Sequence, residues 1–106
     1  MVIIKSTKKG LEEIANLMKK ELSKSPFNER ASIKSILKSL SFYLKNTKIY
    51  ILNDKEIKGV IIFQIEQWWE GPVIIIQDLV INSRFQNQGL GKKLMKFVKN
   101  YAKKMV

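Results

Sequence analysis

The sequence predicts an α/β fold, a sheet covered by helices with its elements in the order β-α-α-β-β-β-α. Three observations carry this expectation. Apolar residues recur at helical spacing in three separate segments, with charged residues on the other side. Around them lie runs rich in β-branched residues, bounded by Asn, Asp, Gly and Pro. Near-continuous apolar strands such as Val73–Ile76 suggest a sheet covered by helices. A chain of 106 residues supports one domain, taken as 1–106, and buries roughly 65% of its unfolded surface. No internal repeat, linker or low-complexity tract divides it.

The elements follow in order. Val2–Lys5 reads as a first strand. Leu11, Ile14, Ala15, Met18 and Leu22 then share a helix face, with Glu12, Glu13, Lys19 and Lys20 on the other side. Ser25-Pro26 is expected to end that helix, because the residue before a proline avoids the helical region. A second amphipathic helix is marked by Ile33, Ile36, Leu37, Leu40 and Leu44. Ile49–Leu52 and Ile57–Trp68 are strands joined by a turn at Asn53-Asp54-Lys55-Glu56. Glu70-Gly71-Pro72 is a further turn, leading into the long strand Val73–Ile81. In the last helix Leu90, Leu94, Phe97, Val98, Tyr101 and Met105 fall on one face, and six lysines lie largely opposite.

Composition narrows the chemistry. With no Cys, the chain has no disulfide scaffold, thiol nucleophile or thiolate zinc site. With no His, it lacks the commonest general base and the usual transition-metal ligand, and no metal site is expected. Acid–base work then falls to Asp, Glu, Lys, Tyr, water or the substrate. No uninterrupted apolar run exceeds four residues, against about 20 for a membrane span, and the N-terminus lacks the layout of a secretory signal. A soluble, cytoplasmic protein is expected. The net charge of +11 fits an anionic partner, and equally a surface simply filled with lysine. Its distribution is uneven: all nine acids lie at or before Asp78, and Leu79–Val106 carries seven cations and no acid.

That basic region opens on the most informative stretch, Asp78-Leu79-Val80-Ile81-Asn82-Ser83-Arg84-Phe85-Gln86-Asn87-Gln88-Gly89-Leu90-Gly91-Lys92, which joins the last strand to the last helix. Glycines at such a junction let the chain turn sharply and leave amides pointing outward, and the helix dipole behind them favours an anion. Lys92 and Lys93 oppose the dipole at that end, an arrangement that makes sense if an anion sits there. An ordinary glycine-containing turn is the alternative. Two familiar phosphate loops do not fit. A Walker A motif would need Gly at Gln86 and Ser or Thr at Lys93. A dinucleotide fingerprint would need a small residue at Leu94 and an acid about 20 positions on, beyond Val106.

Gln86-Asn87-Gln88-Gly89-Leu90-Gly91 has the form [Arg/Gln]-x-x-Gly-x-[Gly/Ala], and with its strand and helix it resembles the acetyl-CoA loop of the GNAT family of N-acetyltransferases. Residues 77 to about 98 carry the specific part of the likeness, and the order of elements extends it to the whole chain. The resemblance implies a mixed, mostly antiparallel sheet and acetyl transfer from acetyl-CoA to a primary amine. It implies that backbone amides from Asn87, Gln88, Gly89, Leu90, Gly91 and Lys92, with Gln86 at the start, hold the coenzyme's diphosphate. It also implies that the pantetheine arm pairs with Leu79, Val80 and Ile81, where the backbone polarises the thioester carbonyl.

Departures from the family are equally legible. Ser83 stands where proline is common. Related domains continue past this helix with further strands, which wall the coenzyme cleft and often supply a tyrosine that protonates the leaving thiolate. This sequence lacks those C-terminal strands, and Tyr101 falls on a core face instead. Gln77 occupies the position of a glutamate used as base by some relatives, so no catalytic residue is assigned. Asp78, Glu66 and Glu70 are the acidic candidates, and Trp68-Trp69 is expected to serve a core or an interface. A sheet ending at Val73–Ile81 exposes an apolar edge, which predicts a homodimer. Two other readings stay open at this level: a GNAT-fold binding protein without strong catalysis, and a basic nucleic-acid-binding module working through the lysine face.

Overall fold

The computed structural model describes residues 2–24 and 27–104. Strand β1 (Val2–Lys5) is followed by helices α1 (Leu11–Leu22) and α2 (Ile33–Asn46). Strands β2 (Lys48–Asp54), β3 (Glu56–Trp68) and β4 (Gly71–Ile81) come next, and α3 (Leu90–Lys104) closes the order read from the sequence. Two short 3₁₀ turns, Lys8–Gly10 and Ser83–Phe85, were not foreseen. The expected break at Ser25-Pro26, and Met105 on the last helix, lie outside the described residues.

The sheet runs β1-β2-β3-β4, and every pairing among the described residues is antiparallel. The all-apolar stretch of β3 explains why helices cover both faces. Val60 and Ile62 point into a core with Leu11, Ile14, Ala15, Met18 and Leu40 of α1 and α2. Ile61 and Phe63 point the other way, against Leu90, Leu94 and Val98 of α3. Burying side chains of this size contributes about 1.5–3 kcal/mol each. Gly59 lets α3 come close: a Cβ there would lie 2.8 Å from Ile81 Cδ1 and 3.3 Å from Leu94 Cδ1.

Local chemistry sets the element ends. Ser32 caps α2, its side chain accepting from the Ser35 amide at 3.1 Å. The expected four-residue turn after β2 shrinks to Lys55, because Asn53 pairs with Ile57 and Asp54 with Glu56, and Lys55 takes a left-handed φ of 66°. Trp68 pairs with Gly71, so Trp69 and Glu70 form the β3–β4 turn. This corrects the expected role of the tryptophans in part: both are exposed, Trp69 fully, so neither belongs to the core.

One irregularity positions the site. Ile62 pairs with Asp78 and Phe63 with Ile76, which leaves Gln77 as an extra residue in β4. Regular alternation from Ile74 and Ile76 would turn Asp78 and Val80 toward α3. The bulge reverses this, so Val80 joins the α1–α2 core while Ile74, Ile76 and Ile81 pack with α3.

Candidate functional site

Beyond β4 the chain bends through Ser83–Phe85 and a short loop into α3. Its backbone alternates in hand. Gln86 has φ −67°, Asn87 φ 65° and Gly89 φ 72°, with Gln88 outside the positive-φ set. Such alternation turns successive amides toward one side and makes a concavity for an anion. The first α3 hydrogen bond runs from the Lys93 amide to the Gly89 carbonyl at 3.1 Å. The amides of Leu90, Gly91 and Lys92 therefore have no partner within the helix, at its positive end. Leu90 is buried and anchors the turn, while Lys92 and Lys93 are exposed around it. A Cβ at Gly91 would meet nothing within 4 Å, so the space in front of this residue is open.

Beside the loop runs a groove of about 450 Å³ along the end of β4. Leu79, Val80, Ile81 and Gln86 line it, facing Glu21, Leu22, Lys24, Phe27 and Ser83. Four of the ten residues expected to hold the coenzyme thus share one groove, and Asn87 to Lys92 continue from its Gln86 end. Because β4 has β3 on one side only among the described residues, every second residue presents an unpaired backbone N–H and C=O outward. The Asn82 amide donates to the Lys58 carbonyl, so Val80, two residues back opposite Val60, is tied to β3, and Leu79 and Ile81 are the residues whose backbone groups face outward.

A polar cluster that the sequence reading did not single out ties this loop to α1. The Glu21 carboxylate, 8% exposed, accepts from the Ser83 amide and the Ser83 hydroxyl, both at 3.0 Å. Lys20 Nζ lies 3.2 Å from Glu21 Oε2 and donates to Asn82 Oδ1 at 2.7 Å. Asn82 Oδ1 also accepts from the Arg84 amide, and the Asn82 amide donates to the Lys58 carbonyl. Burial alone would raise the Glu21 pKa, but the hydrogen bonds from Ser83 and Lys20 outweigh it and leave the carboxyl below its ordinary range. The signal was present: Glu21 sits three residues after Met18 and seven after Ile14, an acid on an apolar face.

The acidic candidates lie elsewhere. Asp78 borders a separate cavity of about 180 Å³ with Met18, Leu22, Glu29, Ile36, Leu40 and Tyr43. Burial, and then the Glu29 charge, push its pKa up. Leu22 borders both cavities. Glu66 accepts from Gln64 Nε2 and Trp68 Nε1, each at 3.0 Å, and Glu70 is exposed in the turn. Tyr101 packs edge-on against Phe63 and Tyr50, the core position expected of it. Among the described residues no three His, Cys, Asp or Glu side chains converge as a metal site would require, and no helix is long and apolar enough to cross a membrane.

Sheet and helices together define an α/β fold in which a strand, a glycine-containing loop and a helix follow one another at the candidate site. The chain belongs to the acetyltransferase (GNAT) family, whose sequence model matches residues 11–105. Solved structures agree on the fold. A possible acetyltransferase from Clostridium difficile 630 superposes with a TM-score of 0.82 at 17% identity, over 94% of this chain and 69% of that one. An aminoglycoside 6'-N-acetyltransferase from Acinetobacter haemolyticus gives 0.79 at 14% identity, over 99% and 73%. A probable acetyltransferase gives 0.85 at 19%, over 98% and 73%. No curated protein sequence matches significantly.

Proposed function

We propose that this protein binds acetyl-CoA along the edge of β4 and transfers its acetyl group to a primary amine. One observation carries the reading: the Asn87–Lys92 turn, whose Leu90, Gly91 and Lys92 amides precede the first hydrogen bond of α3, follows directly on a groove lined by Leu79, Val80, Ile81 and Gln86. An anion and an extended amide-bearing chain are the two parts of coenzyme A, and this site offers a match for each. The turn holds the diphosphate, with Lys92 and Lys93 adding charge. The outward backbone groups of Leu79 and Ile81, on either side of Val80, pair with the pantetheine arm and point an N–H toward the thioester carbonyl. Bound acetyl-CoA supplies an activated acyl group, and a neutral amine displaces the thiolate as a C–N bond replaces the C–S bond. The protein contributes alignment, and no side chain is assigned as base or acid.

The acceptor is an amine on a small molecule or on a peptide or protein. The net charge of +11 makes acceptors that carry some negative charge easier to recruit than highly cationic polyamines. The reading also includes a homodimer formed through the first part of β4, residues 71–77, which leaves Leu79–Ile81 to the coenzyme. That edge is unpaired among the described residues, it carries no charge between Glu70 and Asp78, and Trp68 and Trp69 are exposed beside it. Two basic chains meet there without opposing their lysines.

Calorimetric titration with acetyl-CoA tests the proposal, with saturable binding expected. Absence of binding at millimolar coenzyme overturns it. Binding without release of free thiol, in the presence of a panel of amines, would favour a GNAT-fold binding protein over an enzyme.

A further inference from the structure

The groove has a second wall, and its charge is unbalanced. Lys20 lies 3.2 Å from the buried Glu21 carboxylate and is further held by Asn82 at 2.7 Å. Lys20 therefore already neutralises Glu21. Lys24, one helical turn further on, lies 3.5 Å from Glu21 Oε1 and donates to Ser83 Oγ at 2.9 Å. Its side chain is half exposed, and it lines the groove together with Gln86. Two ammonium groups against one carboxylate leave the cluster with a surplus positive charge beside the start of the loop. An ammonium has three donors, and Lys24 uses two of them on Ser83 and Glu21.

We infer that Lys24 is a coenzyme-binding residue, a cation supplied from the end of α1 to the diphosphate, with Glu21 as the positioning residue that holds it. The inference rests on the proposed coenzyme site. Glu21 ties Ser83 and Lys24 to one carboxylate, so the start of the loop and the cation move as a unit. Diphosphate approaching from the Gln86 end then meets amides on the α3 side and an ammonium on the α1 side. Glu21 itself touches no ligand in this arrangement. Its contribution is to keep Lys24 at the lip of the groove.

The test compares coenzyme A and its 3'-dephospho form by calorimetry on wild type, Lys24→Gln and Lys9→Gln. Lys9→Gln removes the same charge at the opposite end of α1, from an exposed site outside the groove. Lys24→Gln is expected to weaken both ligands about tenfold, the scale of one charge-assisted hydrogen bond, while Lys9→Gln leaves them unchanged. Glu21→Gln is expected to weaken both ligands in the protein that remains folded, and Glu21→Asp to restore part of the loss. Equal affinities for Lys24→Gln and wild type overturn the inference. So does an equal loss in Lys9→Gln, which would mark a general charge effect, or a loss confined to the ligand bearing the 3'-phosphate. Failure of wild type to bind either ligand is a separate result, and it removes the coenzyme reading itself.

Discussion

At Gly89 the backbone is left-handed, with φ 72°, whereas Gly91 lies inside the first turn of α3 with open space in front of it. Alanine therefore acts with opposite signs at the two positions. Gly89→Ala is expected to lower stability by about 1 kcal/mol, the cost of a Cβ in that conformation. Gly91→Ala is expected to raise stability by roughly 0.5 kcal/mol through helix propensity, and yet to weaken acetyl-CoA binding, because the new Cβ occupies space needed by the diphosphate. Urea denaturation and calorimetry on the same two variants check both halves. Loss of stability in Gly91→Ala would show that the position serves packing instead of a ligand.

At the scale of elements, the join between α1 and the β4–α3 connection depends on Glu21. Its carboxyl titrates below the ordinary range in the folded protein, so its contribution is present at neutral pH and lost as pH falls through that lowered value. Glu21→Gln is expected to cost roughly 1–2 kcal/mol at pH 7, with the gap to wild type closing in acid. Denaturation measured across pH follows this directly, and a gap that stays constant into acid would exclude the ionised carboxylate as its source. Asp78 has the opposite sign: its raised pKa means the charged form is disfavoured in the fold, so it takes away stability as pH rises toward neutral. The join also shows where local reading stops. Each helix was legible from its own periodicity and each strand from its apolar run and flanking turn residues, but Glu21 meets Ser83 across 62 positions, and no spacing rule spans that distance.

At the scale of the molecule, the sheet presents the β4 edge beside two exposed tryptophans, Trp68 and Trp69. Light scattering at tens of micromolar is expected to give about twice the 12.3 kDa chain mass. Added salt is expected to strengthen association, since each copy carries a net charge of +11. A monomeric mass would rule out the dimer. The concentration of cations after Asp78 takes on a specific sense at this scale, because Lys92 and Lys93 surround the unpaired amides of α3.

The sequence by itself determined the order of elements, a sheet covered by helices and the glycine-containing turn before α3. Those features rest on periodicity and on glycine placement, which act over a few residues. Tertiary structure alone decided the β4 bulge at Gln77, which turns Asp78 and Val80 toward α1 and α2. It also decided the placement of both tryptophans on the surface, and the polar tie from α1 that brings Lys24 to the groove. Strand register and the meeting of distant side chains are settled by which faces pack together, and that is a property of the assembled core.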